Sequence, residues 1–227
     1  MPFPATTESC APLAARLLAR LQQNFQLDAA QMQQIEQYCS FLLAQNKVHN
    51  LTGHKELASI LSNLVTDSLA ASEVVDFRAL DSIADVGTGA GFPGLALKIA
   101  FPHLKVLLIE VNHKKIKFLE QCITLLGLDG VSIVDLDWRT FNRHHQQDVE
   151  LFVSKAAFNE LEICRMFRMN CHYHERALLY WTTCTWQCDP SVAHYLQQQL
   201  DYTRGNKTLK FAFFARSAAQ NFPFLKQ

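Results

Sequence analysis

Residues 81–94 read Asp81-Ser82-Ile83-Ala84-Asp85-Val86-Gly87-Thr88-Gly89-Ala90-Gly91-Phe92-Pro93-Gly94: an apolar run carrying one acid, then a loop with glycine at alternate positions, then a proline. Ser82 to Val86 predicts a buried strand. Gly87, Gly89 and Gly91 let the backbone turn tightly and approach a ligand with no Cβ in the way. Pro93 predicts the opening of a helix, where its missing N–H costs nothing. Free amides at such a helix start favour an anionic group, a phosphate or an amino-acid carboxylate. The stretch is therefore a candidate cofactor loop.

Spacing separates the cofactors that use such loops. A phosphate-binding P-loop requires a lysine after its last glycine, and Gly94 is followed by Leu95, which excludes it. Gly89, Gly91 and Gly94 match the dinucleotide pattern G-x-G-x-x-G, so a nicotinamide-type cofactor stays open. Asp85, two residues before Gly87, gives acid-x-G-x-G-x-G, the arrangement of class I S-adenosylmethionine methyltransferases, where it borders the methionine end of the cofactor. Lys105 to Ile109 predicts a second strand ending at Glu110. That acid lies about 20 residues past the loop, the separation at which a carboxylate accepts from ribose hydroxyls in either class.

Outward from this centre the chain alternates. Pro12 to Phe25 predicts a first helix. Asp28 with Gln31 predicts a capping box for a second helix with Ile35, Tyr38, Cys39, Leu42 and Leu43 on one face, and a third helix is expected over Lys55 to Val75. Strands are expected at 82–86, 105–110, 131–135, 149–154, 177–182 and 208–215, with helical stretches between. That alternation implies an α/β fold with a mainly parallel sheet covered on both faces, residues 1–76 forming a helical extension and 77–227 a Rossmann-like domain. Ligands in such sheets sit beyond the carboxyl ends of the strands, where Gly87 and Glu110 fall.

Composition sets further bounds. The 227 residues, 49% of them hydrophobic, suffice for a sizeable core. Twenty-one basic side chains balance 21 acidic ones, so any nucleic-acid affinity must come from segregated charge. The candidates are Lys114, Lys115 and Lys117; Arg139 and Arg143; and Arg204, Lys207 and Lys210. Seven cysteines without a C-x-x-C pair make no disulfide framework and point to a reducing cytoplasm. Cys184 and Cys188, with His172 and His174 upstream, match no standard zinc module, and no metal is expected. Arg16 and Arg20 interrupt the leucines of the first segment, so neither a signal peptide nor a membrane span is expected.

Gly87-Thr-Gly-Ala-Gly-Phe-Pro-Gly-Leu, His113-Lys-Lys-Ile-Lys-Phe-Leu, Asn46-Lys-Val-His-Asn-Leu-Thr and the Asp67-Ser68 pair together resemble the bacterial small-subunit ribosomal RNA guanine-N7 methyltransferases, also called glucose-inhibited division protein B. The resemblance runs from about Asp28 to about Phe158. It implies a class I methyltransferase fold with a seven-stranded, mostly parallel sheet. It also implies S-adenosylmethionine as cofactor, held by Asp85, Gly87, Thr88, Gly89, Gly91, Phe92 and Glu110. The substrate implied is small-subunit ribosomal RNA, naked or in the assembled subunit, and a cytoplasmic monomer is expected.

The segment Val153-Ser154-Lys155-Ala156-Ala157-Phe158 lacks the Asn/Asp-Pro-Pro-aromatic run of amino-group methyltransferases, which counts against adenine-N6 methylation. In the resembled family this position carries an arginine implicated in substrate handling. Here it is Lys155, the candidate catalytic residue, which keeps the charge but loses the planar fork. Leu64 stands where the family commonly has histidine, and Trp181-Thr182 replaces a lysine-glycine pair. After the third strand Asp135-Leu-Asp137-Trp138-Arg139 replaces an Arg-Ala-Glu-like segment. Asp137 is the candidate acceptor for the adenine amine and Trp138 the candidate ring partner. These departures keep a non-catalytic RNA- or protein-binding member of the fold, or a methyltransferase with another substrate, as alternatives.

Overall fold

The structure, a computed structural model, describes residues 10–155, 159–204 and 207–226. Two helices lead, α1 (Cys10–Phe25) and α2 (Ala29–His49). Asp28 opens α2 as expected. Its carboxylate accepts from the Gln31 N–H at 2.8 Å while the Gln31 side chain accepts from the Asp28 N–H at 2.8 Å, so two donors that a helix start leaves open are satisfied together. Ile35, Tyr38, Cys39 and Leu42 are buried, as their spacing requires.

The single helix expected over 55–75 is instead a run of short pieces: α3 (Leu57–Ile60), a π-helical stretch Leu61–Thr66, α4 (Asp67–Leu69) and a 3-10 turn Ala70–Glu73. Thr66 Oγ1 donates to the Leu61 carbonyl at 2.9 Å and Ser68 Oγ to the Leu64 carbonyl at 2.6 Å. Side-chain hydroxyls competing for helix carbonyls favour such departures from the regular ladder, and π turns are frequent at functional sites.

Strands and helices then alternate: β1 (Ser82–Val86), α5 (Gly94–Ala100), β2 (Lys105–Ile109), α6 (His113–Leu126), β3 (Val131–Val134), α7 (Trp138–His144), β4 (Leu151–Lys155), α8 (Glu160–Ile163), β5 (Ala177–Thr183), β6 (Leu196–Arg204) and β7 (Lys207–Phe214). They form one sheet in the order β3-β2-β1-β4-β5-β7-β6. Strands β1 to β5 pair in parallel, and β7 runs antiparallel to both neighbours. The order reverses between β2-β1 and β1-β4, and at that switch the loop after β1 opens a crevice.

Strand β6 has no counterpart in the pattern of the sequence. Leu196-Gln-Gln-Gln-Leu carries no alternation of apolar and polar residues, and its partly exposed edge is held in place by β7, with Leu200 opposite Phe211 and Tyr202 opposite Leu209.

The central strands are buried on both faces, and alternation along them splits the core in two. Ile83, Leu108, Val153 and Leu179 face the layer that contains Leu21, Ile35, Tyr38, Leu95 and Phe118. Ala84, Val86, Phe152 and Leu178 face the layer of Trp138, Phe141, Phe167 and Tyr173. The leading helices are thus part of the sheet's own core. Gln31 Nε2 fastens α2 to the end of α5 through the Ile99 and Ala100 carbonyls at 3.0 and 2.9 Å. Among the described residues, no helix is long and apolar enough to cross a membrane, and no cluster of histidine, cysteine or acidic side chains is arranged to hold a metal.

Candidate active site

The loop after β1 is shaped by backbone that only glycine adopts easily. Gly87, Gly89 and Gly91 have φ of 69°, 62° and 95°. The Gly87 and Thr88 amides both donate to the Ile109 carbonyl, at 2.9 and 3.2 Å, tying the loop to the end of β2. Immediately after that strand, Glu110 anchors one carboxylate oxygen on the Val111 and Asn112 amides at 3.0 and 2.9 Å. Its other oxygen accepts from the Gly89 N–H at 3.0 Å and has Lys115 Nζ at 3.8 Å. One oxygen is therefore fixed by its own turn, and the other is held against the glycine loop.

Asp85 sits behind the loop, fully buried. Its Oδ2 accepts from Thr88 Oγ1 at 2.6 Å and from the Gly94 N–H at 2.7 Å, whereas Oδ1 is buried with no partner among the described residues. Burial pushes the carboxyl up to about 7, against the hydrogen bonds from Thr88 and Gly94. Helix α5 begins at Gly94, directly after Pro93, so the first free helical amide is spent on this carboxylate. From the other side, the Tyr38 hydroxyl of α2 donates to the Ala90 carbonyl, and its ring stacks on Phe92 at 5.0 Å.

In front of the loop lies a cleft of about 860 Å³. Gly87, Thr88, Gly89, Ala90, Phe92 and Glu110 form one wall, Leu51, Thr52 and His54 contribute from the segment after α2, and Asn63 and Leu64 from the π turn. Lys115, Lys155, Arg204 and Lys207 make the lining strongly basic. Lys155 ends β4, and its Nζ meets Asp67 Oδ2 at 2.6 Å and the Asn63 carbonyl at 3.0 Å. Asp67 Oδ1 accepts from Arg204 Nη1 at 2.8 Å and from the Tyr202 hydroxyl at 2.8 Å. One buried carboxylate thus holds two cations at the mouth of the site. Burial pulls Lys155 down from its ordinary value, and the charge of Asp67 opposes that. Burial, with Lys155 and Arg204 nearby, also lowers His54 and favours its neutral form.

The cleft brings together Gly87, Thr88, Gly89, Phe92, Glu110 and Lys155, with Asp85 and Gly91 directly behind its wall. Asp137 and Trp138 lie elsewhere, along a separate hollow with Arg139, Asn159 and Glu162. Asp137 caps α7 by accepting from the Arg139 and Thr140 amides, each at 3.0 Å, and from Thr140 Oγ1 at 2.6 Å. Trp138 is buried, its Nε1 donating to the Glu162 carbonyl at 3.0 Å. Leu64 lines the cleft, and Trp181 closes the base of the Asp67 cluster by donating from Nε1 to the Asp67 carbonyl at 3.0 Å. Ala156, Ala157 and Phe158 lie outside the described residues. Tyr38 and His54 reach the site without any local motif to announce them. Arg204 and Lys207 were visible in the sequence only as a charge cluster.

The strand order, the antiparallel β7, the glycine loop after β1 and the acid after β2 define a class I methyltransferase fold. Two solved structures share it at low identity. One is a mutant of MtNAS in complex with S-adenosylmethionine (15% identical, covering 87% of this chain and 77% of that one, TM-score 0.54). The other is the mitomycin 7-O-methyltransferase MmcR (15% identical, covering 96% and 74%, TM-score 0.53).

The GidB family model, rRNA small subunit methyltransferase G, matches residues 31–183, and the chain belongs to this family. Among its relatives are the ribosomal RNA small subunit methyltransferases G of Listeria welshimeri (36% identical over 140 residues, 61% of this chain and 59% of that protein) and of the Aster yellows witches'-broom phytoplasma (40% over 111 residues, 49% and 52%). The chain spans a little over half the length of these relatives.

Proposed function

We propose that this chain binds S-adenosylmethionine at the glycine loop and methylates N7 of a guanosine in small-subunit ribosomal RNA, acting as a cytoplasmic monomer. The observation that carries the reading is one cleft lined by a glycine loop, a fixed carboxylate and four cations, Lys115 beside that carboxylate and Lys155, Arg204 and Lys207 with them in the lining. The residues fit the cofactor. Asp85 Oδ1 is buried with no partner among the described residues, which suits an ammonium group or a water bound to one. A Cβ built on Gly89 would meet the Gly87 carbonyl and Lys115 Nζ only at 3.9 Å, ordinary contact, so the loop is not closed off by packing at this point. The proposed cofactor set is Asp85, Gly87, Thr88, Gly89, Gly91, Phe92 and Glu110. Asp137 and Trp138, which line a separate hollow, are left out of the proposed set.

When bound, S-adenosylmethionine supplies a methyl group made electrophilic by its sulfonium. Guanine N7 carries an in-plane lone pair, so the chain needs no general base, and its task is to orient and to exclude water. Alignment of that kind can lower a barrier by on the order of 7 kcal/mol. Glu110, with one oxygen locked by backbone amides, offers the other to hydroxyl donors. Lys155 and Arg204, held by Asp67, and Lys207 beside them suit the phosphates of an RNA strand entering the cleft.

Nucleoside mass spectrometry after incubating the protein with S-adenosylmethionine and either naked small-subunit RNA or assembled subunits tests the reading. One new 7-methylguanosine in either substrate is the expected result. Affinity for NADH without affinity for S-adenosylmethionine would overturn the cofactor assignment. Tight S-adenosylmethionine binding without methyl transfer to either RNA would favour the non-catalytic alternative.

A further inference from the structure

A second basic surface lies outside the cleft. Arg139 and Arg143 sit four residues apart on α7, and therefore on one face of it. Arg165 and Arg168 follow α8, on and just after the 3-10 turn Cys164–Phe167. Though separate in sequence, these two pairs converge on a small hollow of about 120 Å³, completed by Asn142, Asn170 and Cys171. None of these residues lines the cleft, and none is acidic.

The nearest counter-charge is Glu162. Its Oε1 accepts from Arg139 Nε at 2.6 Å, and its Oε2 from Arg139 Nη2 at 3.1 Å and Arg165 Nε at 2.8 Å. One carboxylate therefore fixes two guanidinium groups side by side, and each retains N–H donors that Glu162 does not use. Arg143 and Arg168 are exposed and make no ion pair among the described residues. Against Glu162 and Asp137, which also acts on Arg139, the four arginines keep a surplus of two positive charges. Asn142 adds an independent sign of the ligand's polarity. Cys171 Sγ donates to its Oδ1 at 3.4 Å, while its buried amide nitrogen has no partner among the described residues, so the uncommitted polar atom in the wall is another donor. Four guanidinium groups with no acidic side chain in the lining suit an anion, and planar guanidinium forks suit a phosphate above other anions.

We propose that Arg139, Arg143, Arg165 and Arg168 form a second RNA contact that grips backbone phosphodiesters of the substrate at a distance from the methylated base. This rests on the reading of RNA as substrate. The contact is independent of base identity, so it positions the RNA and leaves the choice of nucleotide to the cleft.

The test compares the wild-type protein with R143A/R168A, and with R20A/K105A as a control that removes two exposed cations elsewhere. Affinity for small-subunit ribosomal RNA and for an unrelated RNA duplex is measured across a salt series. Removing Arg143 and Arg168 should weaken both affinities about tenfold and flatten the slope of log affinity against log salt by about one for each arginine. Affinity for S-adenosylmethionine should be unchanged, and the control should bind RNA as the wild type does.

Equal RNA affinity and slope in R143A/R168A and the wild type, or no RNA binding by the wild type, would overturn the proposal. Tighter binding to polyglutamate than to RNA would overturn it in favour of an acidic protein partner. Methyl transfer is scored separately: its absence would sink the activity proposed above while leaving the RNA comparison decisive for this surface.

Discussion

Gly89 and Gly91 are two residues apart, yet they are glycine for different reasons. At Gly91 a Cβ would lie 2.6 Å from both Leu95 Cδ1 and the Tyr38 hydroxyl, so the backbone is wedged against α2 and α5. At Gly89 the same atom makes only ordinary contact, with the Gly87 carbonyl and Lys115 Nζ at 3.9 Å, and the requirement is the left-handed φ. Gly91→Ala should therefore destabilise the fold by about 2–4 kcal/mol, overpacking added to a strained φ. Gly89→Val should cost about 1–3 kcal/mol for the left-handed φ alone, leave the fold in place and abolish micromolar S-adenosylmethionine affinity. Urea denaturation and calorimetric titration separate the two effects; retained affinity in Gly89→Val would remove the loop from the cofactor site.

Asp85 adds a pH dependence. Its folded-state value of about 7 lies above an ordinary 3.8, so the folded chain holds the proton more tightly than the unfolded one. The stability it contributes is complete below about pH 4 and is lost as pH rises through about 7. Asp85→Asn keeps an acceptor for Thr88 and Gly94 and has no charge to bury. Between about pH 5 and pH 8 its stability should improve relative to wild type by on the order of 1–3 kcal/mol. A pH-independent difference would mean that Asp85 is ionised throughout.

Between elements, Asp67 is the point where α4, β4 and β6 meet. Removing it leaves Lys155 and Arg204 adjacent with no counter-charge, and deleting one partner of a buried cluster costs about 3 kcal/mol or more. Asp67→Ala should lose about that much stability and most methyl transfer, with Asp67→Asn between it and wild type. Unchanged stability in Asp67→Ala would show the cations to be adequately solvated. This arrangement was only partly legible in the sequence. The glycine loop, Glu110 and the Asp28 capping box are local patterns, each determined by residues within about one turn or strand. The Asp67 cluster joins residues up to 137 positions apart, so no local pattern announces it. Strand β6 was hidden for a related reason: its glutamines pair as an edge because β7 lies beside them, not because their own sequence alternates. The π turn likewise depends on where Thr66 and Ser68 find carbonyls.

At the scale of the whole chain, residues 1–76 read from the sequence as an extension that forms one compact unit with a Rossmann-like domain; of these, the described helices α1 and α2 pack into the domain's core. Leu21, Met32, Ile35, Tyr38 and Leu42 belong to the same buried layer as Leu95, Ile99, Phe118 and Leu119. Gln34 Nε2 donates to the Leu126 carbonyl at the end of α6 at 2.8 Å. The C-terminal segment is tied to the last part of this extension as well: the Asp76 amide donates to the Phe224 carbonyl at 2.7 Å, and the Lys226 amide to the Val74 carbonyl at 2.9 Å. A fragment beginning at residue 77 would expose an entire apolar face of α5 and α6. At roughly 25 cal/mol per Å² of apolar area, uncovering even 400 Å² removes about 10 kcal/mol, comparable with the whole stability of an ordinary domain. We therefore propose that the helices and the sheet fold as one cooperative unit. The full chain should unfold in a single urea transition whether followed by far-ultraviolet circular dichroism or by the fluorescence of Trp138, Trp181 and Trp186. The fragment 77–227 should show no cooperative transition and no S-adenosylmethionine affinity. A fragment that melts cooperatively near the full chain's midpoint would establish two separable domains, and the Tyr38 contact with Ala90 would then be a docking interaction between them.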